Sequence, residues 1–133
     1  MKPVPLTIVA VLAVSSACGA NSEADPVRSY ALGLRADDSA DRYRYVATGD
    51  VDIRVGDAVT FEFENTGTTI HDLRVVDPDG ATLATATPVA VGGRAEVTVT
   101  FRETGFHRLN CLVDDHLTVH EMQTLFEVTD PSG

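Results

Sequence analysis

The sequence predicts an all-β, Greek-key β-sandwich of about eight strands, and three observations carry that prediction. First, apolar and polar residues alternate with a period of two. Val59, Phe61 and Phe63 share one face against Thr60, Glu62 and Glu64, and Ala95, Val97, Val99 and Phe101 oppose Glu96, Thr98 and Thr100. Alternation of this kind, rich in β-branched and aromatic residues, marks strands with one buried face. Second, turn signals built from Gly, Asn, Asp and Pro recur about every ten residues. Third, no stretch sustains the period of about 3.6 residues that a helix needs.

The turns delimit the elements in order. A first strand is expected at 29–35, followed by strands at 43–47 and 51–55 with Gly49-Asp50 between them. Gly56-Asp57 separates 51–55 from 58–64, and Asn65-Thr66-Gly67 separates that strand from 70–76. Asp77-Pro78-Asp79-Gly80 leads into 81–86, and Gly92-Gly93 precedes 94–101. Thr104-Gly105 introduces 105–111, and 123–129 closes the domain, with one of the nine segments expected to be irregular. Antiparallel strands of this length and spacing pack as a sandwich.

The chain of 133 residues is long enough for one domain, placed at 28–133, and too short for two well-buried cores. Its 44% hydrophobic and 23% charged content is that of a folded globular chain, which excludes wholesale disorder and a polytopic membrane protein. The net charge of −10 repels phosphate backbones, so nucleic acid is excluded as a partner.

The N-terminus reads as an address. Lys2 supplies a positive charge, Val4 to Val14 is an apolar run of eleven, and Ser15-Ser16-Ala17-Cys18 is a small-residue exit. That is the layout of a secretory signal, and the run is short for a membrane span. The exit resembles a bacterial lipobox, which implies a signal peptide at 1–17, lipidation of Cys18 and a tether at 18–27. The expected localisation is extracytoplasmic and membrane-anchored through lipid. Ordinary signal cleavage with secretion is the alternative, and it would discard Cys18.

Residues with ligand chemistry gather in two places. His71 lies on a strand whose inward parity is His71, Leu73 and Val75, with Asp72 and Arg74 pointing the other way. Cys111 ends a strand of parity Leu109, Cys111, and His116, His120 and Met122 follow within one loop. A soft thiolate, imidazoles and a thioether favour a soft or borderline metal. Two His with one Cys and a distant axial Met is the donor set of blue-copper electron transfer.

The stretch from Val55 to Leu73 resembles the mid-chain ligand strand of the cupredoxins, the family of plastocyanin and azurin. The stretch from Phe101 to Val128 resembles their C-terminal ligand loop, with the Cys-x4-His spacing of azurin between Cys111 and His116. The resemblance implies one type 1 copper ion with His71, Cys111 and His116 as equatorial ligands and Met122 as the axial one. Five residues separate His116 from Met122, more than is common in the family, so His120 or Glu121 stands as an alternative axial donor. Asp72 and Asn110, adjacent in sequence to His71 and Cys111, are the residues expected to support the ligands. Asp72 in particular is expected to hold the ligand loop through a backbone N–H. Asp114-Asp115 stand where the family has Pro-Gly, and His107, where the family often has Tyr, is read as a half-buried structural residue.

The expected function is a one-electron carrier cycling between Cu(I) and Cu(II), with the edge of His116 at the surface as the electron port. Asp114-Asp115 form either a solvated loop or a docking face for a basic redox partner. A copper chaperone, store or sensor using the same ligands is the alternative, as is a metal-free sandwich serving adhesion or assembly. The chain is expected to be monomeric and not an enzyme. A binuclear copper centre needs two bridging thiolates, and the domain carries Cys111 alone. Multicopper oxidases and copper nitrite reductases need several such domains and His-x-His pairs, and this chain has neither. No Ser-His-Asp motif or glycine-rich phosphate loop is present.

Overall fold

Nine strands form where the alternation and the turns place them: β1 (Ser29–Asp37), β2 (Arg44–Ala47), β3 (Ile53–Arg54), β4 (Ala58–Glu64), β5 (His71–Val76), β6 (Thr82–Val89), β7 (Arg94–Thr100), β8 (Gly105–Asn110) and β9 (Gln123–Thr129). The computed structural model describes residues 27–131. The expected signal peptide at 1–17, Cys18 and all of the tether except Val27 lie outside the described residues. Among the described residues no helix is long and apolar enough to cross a membrane.

The strands divide into two sheets, β2-β1-β4-β7 and β3-β9-β8-β5-β6. β1 runs parallel to β4, with Leu32 beside Phe61 and Leu34 beside Phe63, and β3 runs parallel to β9; the remaining pairs are antiparallel. The chain changes sheet repeatedly, at β2–β3, β3–β4, β4–β5, β6–β7 and β7–β8, as a sandwich requires.

The inward residues of the two sheets meet in a single core. Leu32, Leu34, Val59, Phe61, Phe63 and Val99 come from one sheet, and Leu73, Val75, Leu109, Phe126 and Val128 from the other; all are buried. Exposed Glu62, Glu96, Thr98 and Thr100 alternate with them, so period two is obeyed on both β4 and β7.

Two differences from the sequence reading have plain causes. β6 continues to Val89 although Thr87-Pro88 interrupts the pattern. It is an edge strand, where a proline leaves no ladder bond unmade. There β6 carries one extra residue, because His71 pairs with Val89 and Leu73 with Ala86. The second difference is His107, which is fully buried and not half-buried. It shares the inward parity of Leu109 on β8, so its ring enters the aromatic core, 5.1 Å from Phe101 and 5.6 Å from Phe126 between centroids. Its Nδ1–H donates to the Gly105 carbonyl at 3.0 Å, which satisfies a polar atom that burial would otherwise penalise.

Three connections converge at one end of the sandwich. β1 and β4 are parallel, so the β1–β2 and β4–β5 connections leave from the same end. β8 is antiparallel to β5, so Cys111 at its close arrives beside His71 at the start of β5.

Candidate metal centre

His71, Cys111 and His116 are brought together as a buried cluster, with one ligand atom from each lying within 4.8 Å of the others. Cys111 Sγ is 3.4 Å from His116 Nδ1 and 3.8 Å from His71 Nδ1. Both imidazoles therefore present the same nitrogen to one sulfur. Cys111 is the free cysteine of the described residues.

The bonds around the β4–β5 loop explain how His71 is aimed. Asn65, fully buried at the end of β4, donates from Nδ2 to the carbonyls of Thr69 and Val89 and accepts the Gly67 N–H at Oδ1. One side chain thus staples the loop to itself and to β6. Thr68 donates its N–H to Asp38 at 2.8 Å, and Asp38 Oδ2 lies 2.9 Å from His71 Nε2. A carboxylate accepts, so Nε2 carries the proton and the Nδ1 lone pair faces the sulfur. Gly67 is required here for space: a Cβ on it would lie 2.5 Å from Asp38 Oδ2 and 2.9 Å from His71 Nε2.

The loop that follows Cys111 winds as consecutive turns. Backbone bonds run from His116 N–H to Val113, from Val119 N–H to Asp115 and from Met122 N–H to the His116 carbonyl, and Cys111 N–H donates to Met122. The long His116–Met122 spacing is taken up in this turn, which returns buried Met122 to the backbone of both Cys111 and His116. The alternative axial donors are directed elsewhere. His120 donates Nδ1–H to the Asp41 carbonyl and stacks on Tyr43 at 4.0 Å with the planes 2° apart. Glu121 adopts a left-handed backbone, φ 48°, and its exposed carboxylate faces Arg42.

Of the two supporting residues, Asp72 reaches the ligand loop: its Oδ1 accepts the Leu112 N–H at 2.9 Å, one residue past Cys111. Asp72 does point away from the core, as its parity demands, yet it is buried, because the Cys111 loop folds over it. Asn110 makes no such link. It pairs opposite Arg74, and its Oδ1 finds no hydrogen-bond partner among the described residues.

His116 is buried at 4% exposed, yet it is the most exposed of the four donors, since His71, Cys111 and Met122 are all at 0%. The cover is Tyr43, from the β1–β2 connection, whose ring meets those of His116 at 5.2 Å and His71 at 5.9 Å. Asp114 and Asp115 are exposed beside it.

Burial sets the protonation of the cluster. It pushes the Cys111 thiol above its ordinary value, against hydrogen bonds at the sulfur that pull the other way. It pushes His116 down, and the neighbouring His71 adds to that effect while Asp114 and Asp115 oppose it. The resting donors are thus a protonated thiol and an imidazole held in its neutral, ligating form. Binding a metal here must displace the thiol proton. The set of two imidazole nitrogens, one thiolate and a neighbouring thioether fits a copper ion of type 1 character, and among first-row metals the Irving–Williams order favours copper at such donors.

Asp38, Asn65 and Tyr43 belong to this site and were not anticipated from the sequence. Asn65 lay inside a turn signal that reads only as a turn, and Asp38 and Tyr43 come from a connection with no ligand motif of its own.

No protein-family model matches the chain, and no curated protein matches it. Solved structures do match. Na-dithionite-reduced auracyanin from the photosynthetic bacterium Roseiflexus castenholzii superposes with a TM-score of 0.57 at 16% identity, covering 79% of this chain and 99% of that one. Auracyanin A of Chloroflexus aurantiacus, described as a "blue" copper protein, gives 0.60 at 15% identity, covering 76% and 99%. The fold is that of the cupredoxins. It also occurs inside a larger enzyme, since the Cu-containing nitrite reductase of Thermus scotoductus SA-01 matches at 0.52 and 17% identity, with 79% of this chain spanning 28% of that one. On the cupredoxin frame the His71, Cys111 and His116 cluster sits where the β4–β5 loop and the β8–β9 loop meet.

Proposed function

We propose that the protein is a type 1 copper protein acting as a one-electron carrier outside the cytoplasm. The observation that carries this reading is the convergence of His71 Nδ1 and His116 Nδ1 on Cys111 Sγ in a buried pocket. Copper held there would supply a one-electron Cu(I)/Cu(II) couple. His71 and His116 would hold it through Nδ1 and Cys111 through its thiolate, with the Met122 thioether as a further donor. The rest of the work belongs to the frame. Asp72 ties the ligand loop to β5, Asn65 fixes the β4–β5 loop, and Tyr43 excludes water above the imidazoles. A donor set held in place before and after electron transfer keeps the reorganisation small.

A carrier is preferred to an enzyme because the described cluster offers a single thiol, buried with its two imidazoles beneath the Tyr43 ring. The acidic pair Asp114-Asp115 beside the cover favours a redox partner with a basic docking face. Lipid attachment at Cys18 would hold the carrier at a membrane surface.

The test is to load the full-length protein with one equivalent of Cu(II) and record visible and EPR spectra. The expected result is an intense thiolate-to-copper band with a small copper hyperfine splitting, lost in Cys111→Ser, and a reversible one-electron wave. A colourless product with ordinary tetragonal EPR overturns the assignment. Transfer of copper to a partner without change of redox state would move the protein to the chaperone class.

A further inference from the structure

We infer that Asp38 is a positioning residue for the metal: its buried carboxylate holds His71 as the Nε2–H tautomer and biases the site toward the higher copper charge. The inference rests on the copper reading above and concerns the side of His71 that faces away from the sulfur.

The geometry is specific. The Asp38 side chain is 3% exposed and that of His71 fully buried, and they meet at 2.9 Å in a part-buried contact. Asp38 forms no ion pair with an arginine among the described residues. Its acceptors are filled by Thr68 N–H, Thr68 hydroxyl at 3.2 Å and His71 Nε2–H. Thr66 hydroxyl also donates to the Ala36 carbonyl, pinning the β4–β5 loop to the end of β1 two residues before Asp38. Gly67 leaves the space through which the two side chains meet. Three separate features of the β4–β5 loop thus serve one contact: the Asn65 staple, the Thr68 donors and the absence of a Cβ at position 67.

The consequence follows from charge. A buried carboxylate costs free energy unless its neighbours compensate it. Hydrogen-bonded to the far nitrogen of a ligating imidazole, it raises the basicity of the near nitrogen and fixes ring orientation. With the Cys111 thiolate, Asp38 supplies two negative charges to the pocket, which balance a divalent ion and leave a monovalent one with an excess of negative charge. Cu(II) is therefore held more tightly relative to Cu(I) than a neutral hydrogen-bond acceptor in the same place would hold it. Asp72 brings a second carboxylate, which accepts the Leu112 N–H and whose charge also acts on Cys111; it is left unchanged in every variant compared below.

The test compares wild type with Asp38→Asn, Asp38→Ala and Gly67→Ala in the full-length protein. Asp38→Asn keeps an oxygen that accepts from Nε2–H and removes only the charge. With copper bound, voltammetry is expected to show the Cu(II)-to-Cu(I) affinity ratio falling about tenfold in Asp38→Asn, a rise of about 59 mV for one electron. In the metal-free protein, 15N NMR of the imidazoles is expected to show His71 protonated at Nε2 in wild type. In Asp38→Ala and Gly67→Ala that signature is expected to be lost and replaced by a mixture of tautomers. Titration with Co(II) is expected to show a 10–100-fold weaker site in Asp38→Ala. An unchanged potential in Asp38→Asn, or an unchanged His71 tautomer in Asp38→Ala, overturns the inference. Failure of the copper reading looks different: wild type then shows no thiolate-to-copper band, while the tautomer and Co(II) arms still decide what Asp38 does.

Discussion

Replacing Asp72 by Ala severs the tie between the strand that carries His71 and the loop that carries Cys111. The bond at stake is the Leu112 N–H to Asp72 Oδ1 contact of 2.9 Å. A hydrogen bond to a charged acceptor contributes about 1.5–3 kcal/mol. Leu112 is exposed, so its freed N–H can turn to water, which places the loss near the lower end. Removing a buried carboxylate also recovers some desolvation cost. The Tyr45 hydroxyl donates to the backbone carbonyl of Asp72, a bond the substitution leaves intact. The expected net destabilisation is therefore about 1–2 kcal/mol, or a fall in Tm of roughly 5–12 °C for a domain of this size. Asp72→Asn, which keeps an acceptor for the Leu112 N–H, is expected to lose less than about half as much. Urea unfolding of the metal-free protein measures both, with the slope m unchanged if only this bond is lost. The reasoning is refuted if Asp72→Ala unfolds within about 0.5 kcal/mol of wild type, or if Asp72→Asn is as damaging as Asp72→Ala.

Four further outcomes are expected. Phe101→Ala empties the space between the Phe61, His107 and Phe126 rings and should cost about 3–5 kcal/mol in chemical denaturation. Met122→Leu keeps side-chain volume in the core and should cost under about 1.5 kcal/mol, while shifting the visible spectrum of the copper-loaded form. Tyr43→Ala removes the ring above His116, so reaction of His116 with diethyl pyrocarbonate in the metal-free protein should accelerate; an unchanged rate would deny Tyr43 its role as cover. Asp57 is held below the usual carboxylate range by the Arg28 guanidinium, with the Arg54 N–H assisting against burial. A depressed folded pKa contributes stability that is complete above the unfolded value and lost as pH falls. The advantage of wild type over Asp57→Asn should therefore be full at neutral pH and shrink below about pH 4.

The strands were legible because a half-buried strand writes its geometry directly into the sequence. Phe61 and Phe63 are buried and Glu62 between them is exposed, as alternation demands. His71, Leu73 and Val75 are likewise all buried on β5. The burial of His107 follows from the same parity as Leu109, though histidine chemistry alone suggested a half-exposed place. The association of Cys111 with His116 was legible for a second reason: a short loop after a strand end keeps its residues near that end whatever path it takes. The covering of His116 was not. That depends on a turn through Asp115–Val119 and on a tyrosine delivered from the β1–β2 connection.

By itself, the sequence determined the two-layer β class, the strand boundaries to within a few residues and the donor types available to a metal. These depend on local periodicity and on residue chemistry, which survive without any knowledge of the fold. Only the tertiary structure decided how the donors are aimed and what surrounds them. Asp38 and His71 lie 33 residues apart and meet because β1 and β4 run parallel, so that the loops leaving both strands emerge at one end. Tyr43 reaches His120 and His116 from the same connection. Long-range contacts of this kind are selected by packing of the whole sandwich, and no local pattern encodes them.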